Sequence, residues 1–91
     1  MLVLVTYDSP NDRRRLKLSN FLEGYGRRVQ YSVFECFLTL HEMQILYRRV
    51  ETIADKSEDN VRFYWLSREA VAQVKTIGSD PPCEPPNAYI V

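Results

Sequence analysis

Apolar positions along the 91-residue chain change their period several times, and each change predicts an element. Leu2 to Tyr7 (LVLVTY) is a valine-rich run of the length of a central strand. Ser9-Pro10-Asn11-Asp12 supplies turn residues, and Asn11 or Asp12 can cap a helix behind it. The apolar positions then fall at Leu16, Leu18, Phe21, Leu22 and Tyr25, a helical stripe over 12–24 that stops against Gly24 and Gly26. From Arg28 the period shortens to two. Val29, Tyr31, Val33 and Glu35 alternate with Gln30, Ser32, Phe34 and Cys36, which predicts one long strand over 28–39. Thr39 can cap a second helix over 41–54, carried by Met43, Leu46, Tyr47, Val50 and Ile53. Asp59-Asn60 is a turn and Val61 to Leu66 a further strand; Ser67 to Ala72 allows one helical turn, and 73–77 reads as a short strand stopped by Gly78.

The tail breaks this pattern. Residues 79–86 hold four prolines, Pro81, Pro82, Pro85 and Pro86, so they form neither helix nor central strand. Asn87 to Val91 is strand-like again, and an apolar end behind a stiff linker suits a strand that reaches a distant sheet edge, such as a partner's. The organisation expected is a domain at 1–78, a proline-rich linker at 79–86 and a terminal strand at 87–91. Counted strictly the elements run βαβαββ. That is close to βαββαβ, and the fold expected is an α+β ferredoxin-like sandwich with an extra C-terminal strand exchanged or paired across a homodimer.

Composition sharpens the picture in two places. The chain is 45% hydrophobic and 12% aromatic, generous for one small domain, which suggests apolar surface left for a partner. Its formal net charge is zero, against a general nucleic-acid coat protein, yet residues 1–34 carry +3 and the remainder −3. The positive charge belongs to Arg13, Arg14, Arg15, Lys17, Arg27 and Arg28, a set that one face of the fold can gather. Cys36 and Cys83 have neither CxxC spacing nor a histidine cluster, so zinc is not expected. No apolar stretch approaches membrane-spanning length, and the expectation is a cytoplasmic protein without a membrane partner.

The candidate chemistry sits where the first strand stops. Asp8 there either closes an Asx-turn or offers oxygen ligands to Mg²⁺, an ion that polarises phosphodiesters. One carboxylate is a poor site alone; a symmetric dimer supplies two. Arg13, Arg14 and Arg15 open the helix, at the end of its dipole that disfavours cations. They are either a solvated run or, with the free backbone N–H groups, an anion site that Arg27 and Arg28 extend. Tyr7 suits a sheet face, and the Ser32 hydroxyl either touches a phosphate or fills a gap. His41 has no nucleophile at a readable spacing.

The whole chain, most strongly residues 1–40, resembles the small core CRISPR-associated proteins of spacer acquisition, the Cas2 family. The resemblance rests on Tyr7-Asp8 at a strand end, a basic helix at Arg13 to Lys17, Tyr25-Gly26, and the block Arg28-Val29-Gln30-Tyr31-Ser32-Val33-Phe34-Glu35. It implies a ferredoxin-like homodimer with exchanged terminal strands, a CRISPR integrase partner, and an Mg²⁺ held by Asp8 across the dimer axis. Tyr7, Arg15, Arg28 and Phe34 match other positions tied to activity, and Ser32 lies within the matching block. Lys17 stands at a position that is often arginine, keeping the charge but losing the bidentate fork. The implied function is an Mg²⁺-dependent endonuclease cutting single-stranded RNA or double-stranded DNA. The alternative is a non-catalytic dimeric scaffold that bridges integrase dimers and binds a protospacer duplex. A ferredoxin-like module for a small ligand is the third class.

Overall fold

The computed structural model describes residues 1–85. The elements are β1 (Leu2–Asp8), α1 (Asp12–Leu22), β2 (Arg27–Gln30), β3 (Val33–Phe37), α2 (Leu40–Ile53), β4 (Asn60–Leu66) and a short α3 (Arg68–Ala72). The four strands form one sheet in the order β2-β3-β1-β4, with every neighbouring pair antiparallel. This is the βαββαβ ferredoxin-like plan, and it replaces the strict βαβαββ count.

The long strand expected at 28–39 is a hairpin. Gln30 pairs with Val33, and Tyr31-Ser32 form the tip. Two-residue hairpins favour turns with positive φ and hence Gly or Asn. Among the described residues no non-glycine has positive φ, and a register irregularity between Arg28 and Gln30 accompanies the turn instead. Alternation of β-formers runs straight through the tip, so the sequence carries no turn signal to read. The short strand expected at 73–77 is absent. Ser67 caps α3 by accepting from the Ala70 N–H, the Val74 N–H still bonds the Val71 carbonyl, and Ile77 is wholly exposed. Local β-propensity without a ladder partner does not make a strand. The terminal strand expected at 87–91 lies outside the described residues.

One face of the sheet carries the core. Val3, Val5 and Tyr7 of β1 and Phe34 and Cys36 of β3 are buried against Leu18 and Leu22 of α1 and Leu46 and Val50 of α2. Asn11 caps α1 through the Arg14 N–H, and Thr39 with Glu42 forms a complete capping box on α2. Gly26 enters β2 so close to β3 that a Cβ would stand 2.3 Å from the Glu35 carbonyl oxygen and 2.5 Å from Cys36 Sγ. Only glycine fits there, and this close approach delivers Arg27 and Arg28 into the sheet.

The other face has no helix laid on it by α1 or α2. Its positions are set by register: Leu4 between Glu35 and Tyr64, Thr6 between Val33 and Arg62, and Asp8 opposite Asn60. Tyr64 is half exposed on this face. No helix among the described residues is long and apolar enough to cross a membrane.

Candidate nucleic-acid interface

Strand alternation divides the expected site between two faces. Asp8 lies within β1, exposed, on the open face; Tyr7 beside it is buried on the helix face, its ring stacked 6.3 Å from that of Phe34. Arg27 and Arg28 separate in the same way. Arg27 pairs with Glu35, at 3.9 Å, on the open face. Arg28 lies over the Phe34 ring at 5.4 Å and donates to Ser19 Oγ and to Glu23. The positive half of the chain therefore does not form a single face.

The three arginines at the start of α1 also part company. Arg13 is exposed to solvent. Arg14 turns to the α2–β4 loop, with Nε 2.8 Å from Asp59 and Nη2 2.7 Å from Glu58. Arg15 donates from Nη1 to the Ser9 carbonyl at 2.7 Å and pairs with Asp12. Of the three, Arg15 thus holds the turn that follows Asp8, while Arg14 ties the start of α1 to the α2–β4 loop. Lys17 is exposed on α1. The Ser32 backbone carbonyl accepts the Tyr7 N–H at 3.1 Å. What the fold assembles on the helix face is Tyr7, Arg15, Ser19, Arg28 and Tyr31 around a cleft of about 240 Å³. Ser19, a mid-helix serine one turn beyond Arg15, gave no signal of its own.

On the open face Asp8 has neighbours that local sequence reasoning missed, because they arrive on β4. Asn60 is its register partner, and Arg62, one position along that face, donates to Asn60 Oδ1 at 3.3 Å and to the Tyr64 hydroxyl at 3.1 Å. No group of three His, Cys, Asp or Glu side chains able to hold a metal occurs among the described residues. Mg²⁺ keeps several waters and takes one or two carboxylates, so one exposed aspartate per chain fits an ion shared with a second copy or a phosphate. The Cys36 thiol is no nucleophile: burial, and then the charge of Glu35, push it up to about 12.

Asp59 is the most strongly held carboxylate. Burial pushes it up, but Arg14, the Asp55 backbone N–H and the Ser9 hydroxyl outweigh that and hold it at about 2. Its folded value lies below the unfolded value of about 4. The stability it contributes is therefore fully present above about pH 4 and is lost as pH falls through about 2. Arg14→Met is expected to melt below the wild type at neutral pH, with the gap closing as pH drops toward 2. Thermal melts followed by circular dichroism across that range check this, and a gap independent of pH would remove the pair from the account.

The comparisons with known proteins agree with this architecture. The family model described as CRISPR associated protein Cas2 matches residues 1–74. A CRISPR-associated endoribonuclease Cas2 3 of Synechocystis sp. is 47% identical over 90 residues, covering 99% of this chain and 98% of that protein. The crystal structure of Streptococcus pyogenes Cas2 at pH 6.5 superposes with a TM-score of 0.74 at 37% identity, covering 86% of this chain and 100% of that one. A chain of a partial Cas6-RT-Cas1–Cas2 complex gives a TM-score of 0.73 at 36% identity, covering 88% and 93%. A family model spanning most of the chain, and relatives matched over nearly their whole length, agree on one assignment: the chain belongs to the CRISPR-associated Cas2 family.

Proposed function

We propose that this chain acts in CRISPR spacer acquisition as a homodimer with an integrase partner, and that it is an Mg²⁺-dependent endonuclease of single-stranded RNA or double-stranded DNA. The observation that carries the reading is Asp8, an exposed carboxylate at the last register position of β1, on the sheet face that α1 and α2 leave open. That face also bears Leu4, Phe37 and the half-exposed Tyr64, apolar surface suited to a second copy. A twofold dimer through it repeats the same patch on both partners, so both copies of Asp8 belong to one interface. The outer edge of β4 takes no partner within the four-stranded sheet, which supports its pairing with an incoming terminal strand.

Asp8 is the residue that would hold Mg²⁺, with Asn60 beside it across the ladder. Bound there, the ion supplies positive charge that polarises the scissile phosphodiester. Arg62, oriented by Asn60 and Tyr64, offers further donors to a neighbouring phosphate oxygen. Arg15 holds the turn behind Asp8, and Arg14 ties the start of α1 to the loop that leads into Asn60. The test is labelled single-stranded RNA and double-stranded DNA incubated with the protein in Mg²⁺ and in EDTA. Cutting is expected in Mg²⁺, none in EDTA, with recovery when Mg²⁺ is returned. Failure to cut either substrate in Mg²⁺ favours the second reading, a scaffold that binds duplex and bridges integrase dimers. What supports that reading is the likeness to a chain of the Cas1–Cas2 complex.

A further inference from the structure

The helix-face cleft contains a group that the metal reading does not use. Tyr31 stands at the tip of the β2–β3 hairpin, 82% exposed, and contributes almost nothing to the core. A large aromatic ring in solvent is costly surface with no packing return. It lines the same cleft as Arg15, Arg28 and Ser19, with exposed Leu16 on the α1 side. We propose that this cleft is a single-strand subsite, with the Tyr31 ring stacking on one unpaired base and Arg15 and Arg28 holding the adjacent phosphate. The proposal rests on the nucleic-acid reading above and places a contact on the sheet face opposite Asp8.

The electrostatics suit a phosphate. A guanidinium has five donors. Among the described residues the bonds of Arg28 run through Nη2, to Ser19 and Glu23, while the ring of Phe34 supports its carbon from below. Arg15 bonds through Nη1 and Nη2, to Ser9 and Asp12. The acidic partners Asp12 and Glu23 are mostly exposed, with side chains 90% and 57% accessible. Exposed pairs of this kind are worth little, so a phosphate can displace them. Buried Ser19 sets the orientation of Arg28.

The aromatic component decides which strand form fits. Stacking on a side chain needs a free base face, which single strands offer and the interior of a duplex does not. Neither stacking nor phosphate contact reads the sugar, so RNA and DNA single strands are both expected to bind.

The experiment is fluorescence anisotropy in EDTA, where metal-dependent cutting is off, with single-stranded RNA, single-stranded DNA and duplex DNA of about 12 nucleotides. Tyr31→Ala is expected to weaken both single strands by about 5- to 150-fold and Tyr31→Phe to retain wild-type affinity, since a stacked base is worth about 1–3 kcal/mol. Duplex affinity is expected to stay unchanged. A loss confined to RNA or to DNA overturns a subsite built from stacking and phosphate contact alone, because neither contact reads the sugar. Unchanged single-strand affinity in Tyr31→Ala overturns the proposal, and so does an equal loss on the duplex. Because Tyr31 is exposed the variants keep the fold, which a thermal melt verifies. A wild type that cuts in Mg²⁺ but binds single strands independently of Tyr31 sinks the subsite alone. One that binds through Tyr31 yet cuts nothing sinks the nuclease reading alone.

Discussion

Asp8→Asn is expected to reduce Mg²⁺-dependent cleavage on the order of 10²–10³-fold, the usual loss when one fixed electrostatic contact to a developing charge is removed. The substitution keeps the size and one oxygen and removes the negative charge that a hard cation needs. Asp8 pairs with Asn60 through backbone groups and is exposed, so the ladder and the melting temperature should be untouched. Oligonucleotide affinity measured in EDTA should change little, because Arg15, Arg28 and Tyr31 lie on the opposite face and Arg62 keeps its own partners. Initial cleavage rates over a range of Mg²⁺ concentrations, wild type beside variant, check this. Rates that match the wild type would release Asp8 from the metal role. Wild-type spacer integration together with absent cleavage would make the chain a scaffold whose carboxylate is a strand-end residue.

Phe34→Ala is expected to cost about 3–5 kcal/mol of stability, the range for emptying a buried phenylalanine site. Phe34 has no exposed surface, pairs across β1 with Val5, stacks with Tyr7 and supports Arg28 on its ring. Against the roughly 5–15 kcal/mol that holds a small domain together, much of the fold goes with it. The resemblance ties this position to activity, and the structure supplies a mechanical reason: without the ring, Tyr7 and Arg28 lose their common support. Phe34→Leu keeps part of the volume and should cost less than Phe34→Ala, about 1–3 kcal/mol. Urea unfolding of both variants, read beside activity, separates the causes. Activity that tracks the folded fraction makes Phe34 structural. Loss of activity in a fully folded Phe34→Leu would assign the ring a role at the substrate.

Much of the framework is legible locally. The β1 run, the Leu18–Leu22 stripe, the Thr39 cap with Glu42 three residues on, and the β4 run all appear where their patterns place them. These features depend on neighbours a few residues away, so a linear pattern carries them. The hairpin was illegible for the converse reason: Tyr31 and Ser32 continue the alternation, and only pairing of Arg27–Gln30 with Val33–Glu35 turns the chain back. The segment at 73–77 has strand composition and no strand beside it.

A linear reading reaches the first and last strands of the sheet, both long helices, the strand end at Tyr7-Asp8 and the basic residues behind it. It also determined, through the Tyr25-Gly26 and Arg28–Glu35 blocks, which family the chain belongs to. How those residues are shared between the two faces depends on long-range strand pairing. Alternation along β1 sends Tyr7 and Asp8 to opposite faces, and alternation along β2 does the same to Arg28 and Arg27. The α2–β4 loop takes Arg14 away through Asp59, and β4 brings Asn60 and Arg62 to Asp8 from more than fifty residues along the chain. Each of these depends on a long-range register, and register is set by which faces bury apolar surface against α1 and α2.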